Sequence, residues 1–126
     1  MVDQVLSGEQ KFKRYVAYKI RVGDISAGKN YFENEKLKHV EIFGNNVSRV
    51  NLIANVVDKY VQEGEKKFGS LTLDDASGQV KVKFFGEEVE KMHELNQGDT
   101  VLLIGLLRFW NNEVYLTPEI IKKKDP

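Results

Sequence analysis

Between Val47 and Ile121, apolar and polar residues alternate with the two-residue period of half-buried strands, interrupted by clusters of turn-forming residues. Val50, Leu52, Ala54 and Val56 share one face of a long first strand that runs from Val47 to about Tyr60, and a polar loop follows at Glu63-Gly64-Glu65. The second strand, Phe68 to Leu73, turns Leu71 and Leu73 inward. It ends in Asp74-Asp75-Ala76-Ser77-Gly78, residues that hydrogen-bond their own backbone or accept positive φ. The third strand is the plainest: Val80, Val82 and Phe84 lie on one side, Lys81, Lys83 and Phe85 on the other, and Gly86 breaks it. From Glu87 to Leu95 the period changes, with Val89, Met92 and His93 at helical spacing and acidic residues in the first turn. Gln97-Gly98-Asp99 leads into a fourth strand, Thr100 to Phe109, where Gly105 predicts a bulge or sharp bend. A tight hairpin at Asn111-Asn112 returns the chain as a fifth strand, Val114 to Ile121, whose Pro118 predicts an edge or barrel rim.

Five strands with a short helix between the third and fourth is the order of an OB-fold, an all-β, five-stranded Greek-key barrel. Upstream the periodicity is weaker. Tyr15 to Val22 alternates as a short strand ended by Gly23-Asp24, and Ala27-Gly28-Lys29-Asn30 reads as a turn. Lys36 to Phe43 alternates again, with Leu37, His39, Glu41 and Phe43 on one side, before the turn signal Gly44-Asn45-Asn46. The expected organisation is a strand-bearing N-terminal arm over residues 1–46 packed on the barrel, an OB-fold domain over 47–121, and a basic solvated tail over 122–126.

At 126 residues the chain has the length of one domain, and 41% hydrophobic with 30% charged residues is the composition of a globular protein. No cysteine is present, which excludes disulfides and thiolate chemistry and points to a reducing interior, cytoplasmic and nucleoid-associated. No apolar run approaches the ~20 residues that span a bilayer, so no membrane partner is expected. The 19 basic and 19 acidic side chains cancel, which argues against indiscriminate polyanion binding and leaves any nucleic-acid site to local charge.

Parity separates Phe84, on the core face, from Phe85, on the outward face with Lys81 and Lys83. Trp110 shares parity with Arg108 beside the hairpin turn, where a buried indole would have to draw a charged neighbour inside. Phe68, Ser70 and Thr72 form the outward set of the second strand, and OB-folds bind on strands two and three. Phe68 fits a third stacking platform and a barrel cap equally well. Outward aromatics interleaved with Lys81, Lys83 and Arg108, and with Lys66 and Lys67 from the preceding loop, are the chemistry of single-stranded nucleic-acid binding: rings stack on bases, cations meet phosphates. His39 and His93 have neither cysteine partners nor metal-ligand spacing, and Asp74-Asp75 reads as a pair of turn formers. Phosphate-binding loop, nucleophile elbow and nucleophile–base pair are all missing from the sequence, so neither an enzyme, nor a cofactor, nor a small-molecule substrate is expected.

Val47–Tyr60 (VSRVNLIANVVDKY), Gly105–Ile121 (GLLRFWNNEVYLTPEII) and the lead-in Glu41-Ile42-Phe43-Gly44 resemble the second, middle-sized subunit of replication protein A in its archaeal version. The resemblance runs from about Tyr15 to the end, and its motifs do not separate the second subunit from the closely related third. It implies a non-catalytic subunit of a heterotrimeric complex that binds single-stranded DNA in replication, repair and recombination. Its partners would be the other subunits and the DNA, and the family's two base-stacking aromatics fall on Phe85 and Trp110. An alternative is a subunit chiefly for assembly, motivated by the arm and by Leu102 and Ile104 on the outward face. A weaker third reading is an RNA-binding module of the translation apparatus. Family members continue beyond the fifth strand into a helix that joins a trimer bundle. This sequence stops at Pro126, so either it is a truncated form or assembly uses another surface.

Overall fold

The structure is a computed structural model that describes residues 16–125. The first residue of the expected Tyr15–Val22 strand and the end of the expected tail lie outside this range. The elements are β1 (Ala17–Lys19), α1 (Val22–Ala27), β2 (Lys29–Glu33), β3 (Lys36–Ile42), β4 (Asn45–Val47), β5 (Arg49–Gln62), β6 (Phe68–Asp74), β7 (Gln79–Phe85), a 3-10 helix (Gly86–Met92), β8 (Thr100–Trp110) and β9 (Glu113–Lys124).

The barrel closes because one strand serves two neighbours. The first half of β5 pairs antiparallel with β8, from Arg49↔Leu106 to Asn55↔Thr100. Its second half pairs with β6, from Asn55↔Asp74 to Gln62↔Phe68. Val57 is an extra residue just past this switch, and such a bulge sharpens the bend a small closed barrel needs. It also resets the parity: Val50, Leu52, Ala54 and Val56 are buried before it, and Val61 packs on the core after it. β6 pairs with β7, β9 pairs with β8, and a parallel contact at Leu116↔Val82 completes the ring. The fold is the OB-fold that the sequence pattern predicted. Leu71, Leu73, Val82, Phe84, Leu103 and Leu116 fill its interior, each fully buried.

The linker between β7 and β8 plugs one end of the barrel with Val89, Met92 and Leu95. It is a 3-10 helix rather than the expected α-helical span to Leu95, and His93 points to solvent. Met92 packs so closely on Gly69 that a Cβ there would displace the end of its side chain. Gly105 also differs from expectation. β8 keeps its register through it, and the bulge lies on the opposite strand between Pro118 and Ile120. The glycine is required because a Cβ would sit 2.6 Å from the Thr117 carbonyl oxygen. Pro118 is buried next to this bulge. Leu102 and Ile104, expected outward, are half-buried. Lys122–Lys124, expected as tail, extend β9 against Leu102–Thr100 with their side chains exposed.

Upstream, β1 adds in parallel to β5 (Ala17↔Arg49). The predicted strand ends at Lys19, and Gly23-Asp24 lies inside a short helix, α1. Asp24 explains this: it accepts hydrogen bonds from the Arg21 backbone N–H (2.9 Å) and guanidinium (3.0 Å), closing the first turn. β2, β3 and β4 form a small antiparallel sheet. Lys38 is an extra residue opposite Tyr31/Phe32, and this bulge splits the face expected for Leu37, His39, Glu41 and Phe43. Val40 and Ile42 are buried instead, and Phe43 projects at a turn with 80% of its surface exposed. Val22, Ile25, Val40 and Ile42 join the same hydrophobic cluster as the barrel residues.

Candidate nucleic-acid interface

Alternation on a paired strand decides which side chains reach the outer face of β6 and β7. The register sets Phe68 opposite Phe85, Ser70 opposite Lys83 and Thr72 opposite Lys81, three rungs of outward side chains. Phe84, one residue from Phe85, is fully buried, whereas Phe85 is 48% exposed. The Phe68 and Phe85 rings meet at 5.4 Å between centroids with their planes tilted by 51°. Tyr60 lies beyond, 6.3 Å from Phe68.

The β8–β9 hairpin stands over this face. Asn111 and Asn112 take positive φ (53° and 67°), the conformation of a two-residue turn that matches strand twist, and asparagine adopts it at low cost. That turn fixes Trp110 opposite Glu113 and Arg108 opposite Tyr115. Trp110 is 68% exposed. Phe68, Phe85, Trp110, Lys83 and Tyr115 together bound an open cavity of about 240 Å³. The Lys83 ammonium sits 4.3 Å above the Tyr115 ring, a cation–π contact that holds a positive charge at the edge of the cavity.

The residues proposed from the sequence are thus not all in one place. Phe68, Phe85, Trp110 and Lys83 converge. Arg108 is exposed on the hairpin beside Tyr115, and Lys81 is exposed one rung beyond Lys83; neither has an ion-pair partner among the described residues. Lys67 is engaged elsewhere: its ammonium lies 3.2 Å from the Glu90 carboxylate on the 3-10 helix. Its backbone carbonyl accepts from the Gly86 N–H, so the loop before β6 is tied to the end of β7. Tyr115 was missed. Its signal was present, because a two-residue turn at Asn111-Asn112 sets Tyr115 opposite Arg108 and on the outward parity.

The loop Asp74–Gly78 does more than turn. Asp74 and Asp75 accept from the backbone N–H groups of Ala76 (2.7 Å) and Ser77 (2.9 Å). Asp75 also accepts from the Val22 N–H (2.9 Å), and Ser77 Oγ from the Gly23 N–H (2.7 Å), which docks α1 on the barrel. Burial pushes the Asp75 carboxyl up, but the Ser77 hydroxyl and the N–H groups of Val22 and Ser77 outweigh it and leave the pKa below the ordinary value. Asp74 is lowered by Gln79 and Ala76, and Asp24 by the Arg21 N–H and then its guanidinium. His39 stacks on Tyr31 at 4.9 Å, and His93 Nδ1 lies 3.3 Å from Glu90. Among the described residues no cluster of three or more His, Asp or Glu side chains could hold a metal ion, and no helix is long and apolar enough to cross a membrane.

A barrel of this topology with rings and cations on the outer face of its second and third strands defines a nucleic-acid-binding class of domain. Residues 49–123 match the family described as OB-fold nucleic acid binding domain, and the chain belongs to that family. No curated protein is detectably similar in sequence. Among solved structures, a chain from a replication protein A heterotrimer bound to ssDNA superposes with a TM-score of 0.70 at 12% identity, covering 88% of this chain and 83% of that one. A chain of the S. pombe Stn1–Ten1 complex gives 0.68 at 18% identity over 90% and 81%. A chain of yeast replication protein A bound to ssDNA gives 0.65 at 17% identity over 90% and 80%. At such identities the likeness establishes the fold.

Proposed function

We propose that this chain is a non-enzymatic, single-stranded DNA-binding subunit of a replication protein A complex, in the position of the archaeal second subunit, acting in replication, repair and recombination. The observation that carries the reading is the convergence of Phe68, Phe85 and Trp110 around one open cavity with Lys83 held at its edge. Phe85 and Trp110 stack on successive bases, Phe68 backs Phe85, and Lys83, Lys81 and Arg108 meet phosphates. The likeness to chains of single-strand-binding and multi-subunit assemblies supports both the ligand and the existence of partner subunits. Zero net charge fits modest affinity for the isolated chain, with tighter binding arising when modules are linked.

Anisotropy titration of a labelled oligo-dT tests this. Base–aromatic stacking contributes roughly 1–3 kcal/mol per base, so Phe85→Ala with Trp110→Ala is expected to weaken binding by at least ~30-fold. Unchanged affinity in the double variant would remove the site assignment. In competition between matched strands, tighter binding of RNA than of DNA would favour an RNA-binding module instead.

A further inference from the structure

The barrel has an outer face that the ring cluster does not use. On β5, Val50, Leu52 and Ala54 are buried, so Asn51 and Ile53 between them point outward. On β8 the same alternation buries Val101 and Leu103 and turns Leu102 and Ile104 out, each half-buried. On β9 the bulge after Pro118 shifts the parity. Ile121 packs on the core, and Ile120, which would otherwise follow Leu116 and Pro118 inward, is 42% exposed. Register then brings these side chains together: Ile53 is opposite Leu102, and Ile104 is opposite Ile120. Four aliphatic side chains on three adjacent strands thus form one patch, in which Ile53 is 50% exposed. Its border is basic. Lys122 lies opposite Leu102, Lys124 opposite Thr100, and Lys19 of β1 beside Asn51. All three lysines are exposed, and none has an ion-pair partner among the described residues. The carboxylates nearby are engaged: Glu119 with Arg49, Asp99 with Lys123, and Asp75 with the Val22 and Ser77 N–H groups. Asp125 lies past the last paired residue of β9.

These features choose among occupants. The outward residues that make and border the patch include no aromatic side chain, so bases have nothing to stack on. A second copy of the chain would bring its own unpaired lysines to the same border, where no free carboxylate meets them. The patch is also small. Strand spacing of about 4.8 Å and a rise of about 3.3 Å per residue give it roughly 200 Å², against about 800 Å² a side for a stable pair of globular proteins. The apolar stripe of one helix or one strand covers such an area, and carboxylates beside that stripe would meet the lysines.

We propose that this face docks a segment of a partner protein that presents aliphatic side chains flanked by Asp or Glu. The patch shares no residue with the ring cluster, so the docking face stands or falls apart from DNA binding. The probes are two synthetic helical peptides with the same leucine stripe, flanked by Glu in one and by Lys in the other. With the full chain at low salt, the Glu peptide is expected to bind about tenfold more tightly than the Lys peptide, and added salt should narrow the ratio. The Glu peptide should shift the methyl resonances of Ile53, Leu102, Ile104 and Ile120. Ile53→Asn is expected to weaken it roughly threefold to tenfold while leaving oligo-dT affinity unchanged. Exchanging the three lysines together, Lys19→Glu, Lys122→Glu and Lys124→Glu, should reverse the preference between the peptides. Failure of both peptides to bind, equal binding of the two, a preference unmoved by the lysine exchange, or shifts confined to other residues each overturns the docking face. Sedimentation that shows a dimer, lost in Ile53→Asn, would give the face to a second copy and overturn it too. If Ile53→Asn does not fold, the lysine exchange decides. Absence of oligo-dT binding by the natural chain would overturn the DNA reading alone.

Discussion

The two sides of the β8–β9 hairpin are built from adjacent residues and have different chemistry. On one side Trp110 and Tyr115 face Phe68, Phe85 and Lys83, with large apolar rings and an ammonium held over the Tyr115 ring, which suit any base and any phosphate. On the other side Phe109 and Val114 face the N-terminal arm, with Ser26, Asn30 and Gln79 among the residues around a second open cavity. The first side needs only the barrel. The second exists because α1 docks on the Asp75–Ser77 loop and Phe32 braces Phe109. Alternation thus gives one hairpin an exposed ring face and a face packed against the arm, and the arm makes the difference between them.

The largest expected effect separates the ring side from the core beneath it. Phe84→Ala should cost about 3–5 kcal/mol of folding stability, because it empties a fully buried site. Phe85→Ala should leave stability within about 1 kcal/mol and weaken oligonucleotide binding instead. Paired urea-unfolding and binding measurements check this, and a large stability loss in Phe85→Ala would make the platform part of the core.

The next effect is on the arm side. Asp75→Ala removes the acceptor for the Val22 and Ser77 N–H groups and is expected to destabilise by about 1–3 kcal/mol. Asp24, Asp74 and Asp75 are all held below their ordinary pKa values in the folded protein. The stability they contribute is complete above the unfolded carboxyl pKa of about 4 and is lost as pH falls through the folded values. Unfolding midpoints should therefore drop below about pH 4, and less steeply in Asp75→Ala, which has one such carboxyl fewer.

The smallest effect concerns charge. Lys83→Met and Lys81→Met should each reduce the slope of log affinity against log salt by about 0.7, the amount for one phosphate contact on a single strand. A slope unchanged in Lys81→Met would take Lys81 off the phosphate track.

The barrel was legible in the sequence because half-buried strands announce themselves by parity, and parity alone turned Phe85 and Trp110 outward. What parity could not show were the residues that reset it. The bulges at Val57, Lys38 and between Pro118 and Ile120 each depend on which strands become neighbours, a long-range matter. Six residues of α1 are too few for a helical period to emerge, and Gly23 reads as a breaker unless its docking on Ser77 is known. Lys67 was read as a free cation because its partner, Glu90, lies across the fold. Tyr115, by contrast, followed from the hairpin register and needed only that step of geometry.

Trp110 is the only tryptophan in the chain, so its intrinsic fluorescence reports directly on the ring side of the hairpin. Titrating the protein with unlabelled oligo-dT should quench this emission in a saturable manner, with the midpoint moving to higher oligonucleotide concentration in Phe85→Ala. Emission that stays constant while anisotropy shows the oligonucleotide bound would place the DNA elsewhere and contradict the platform.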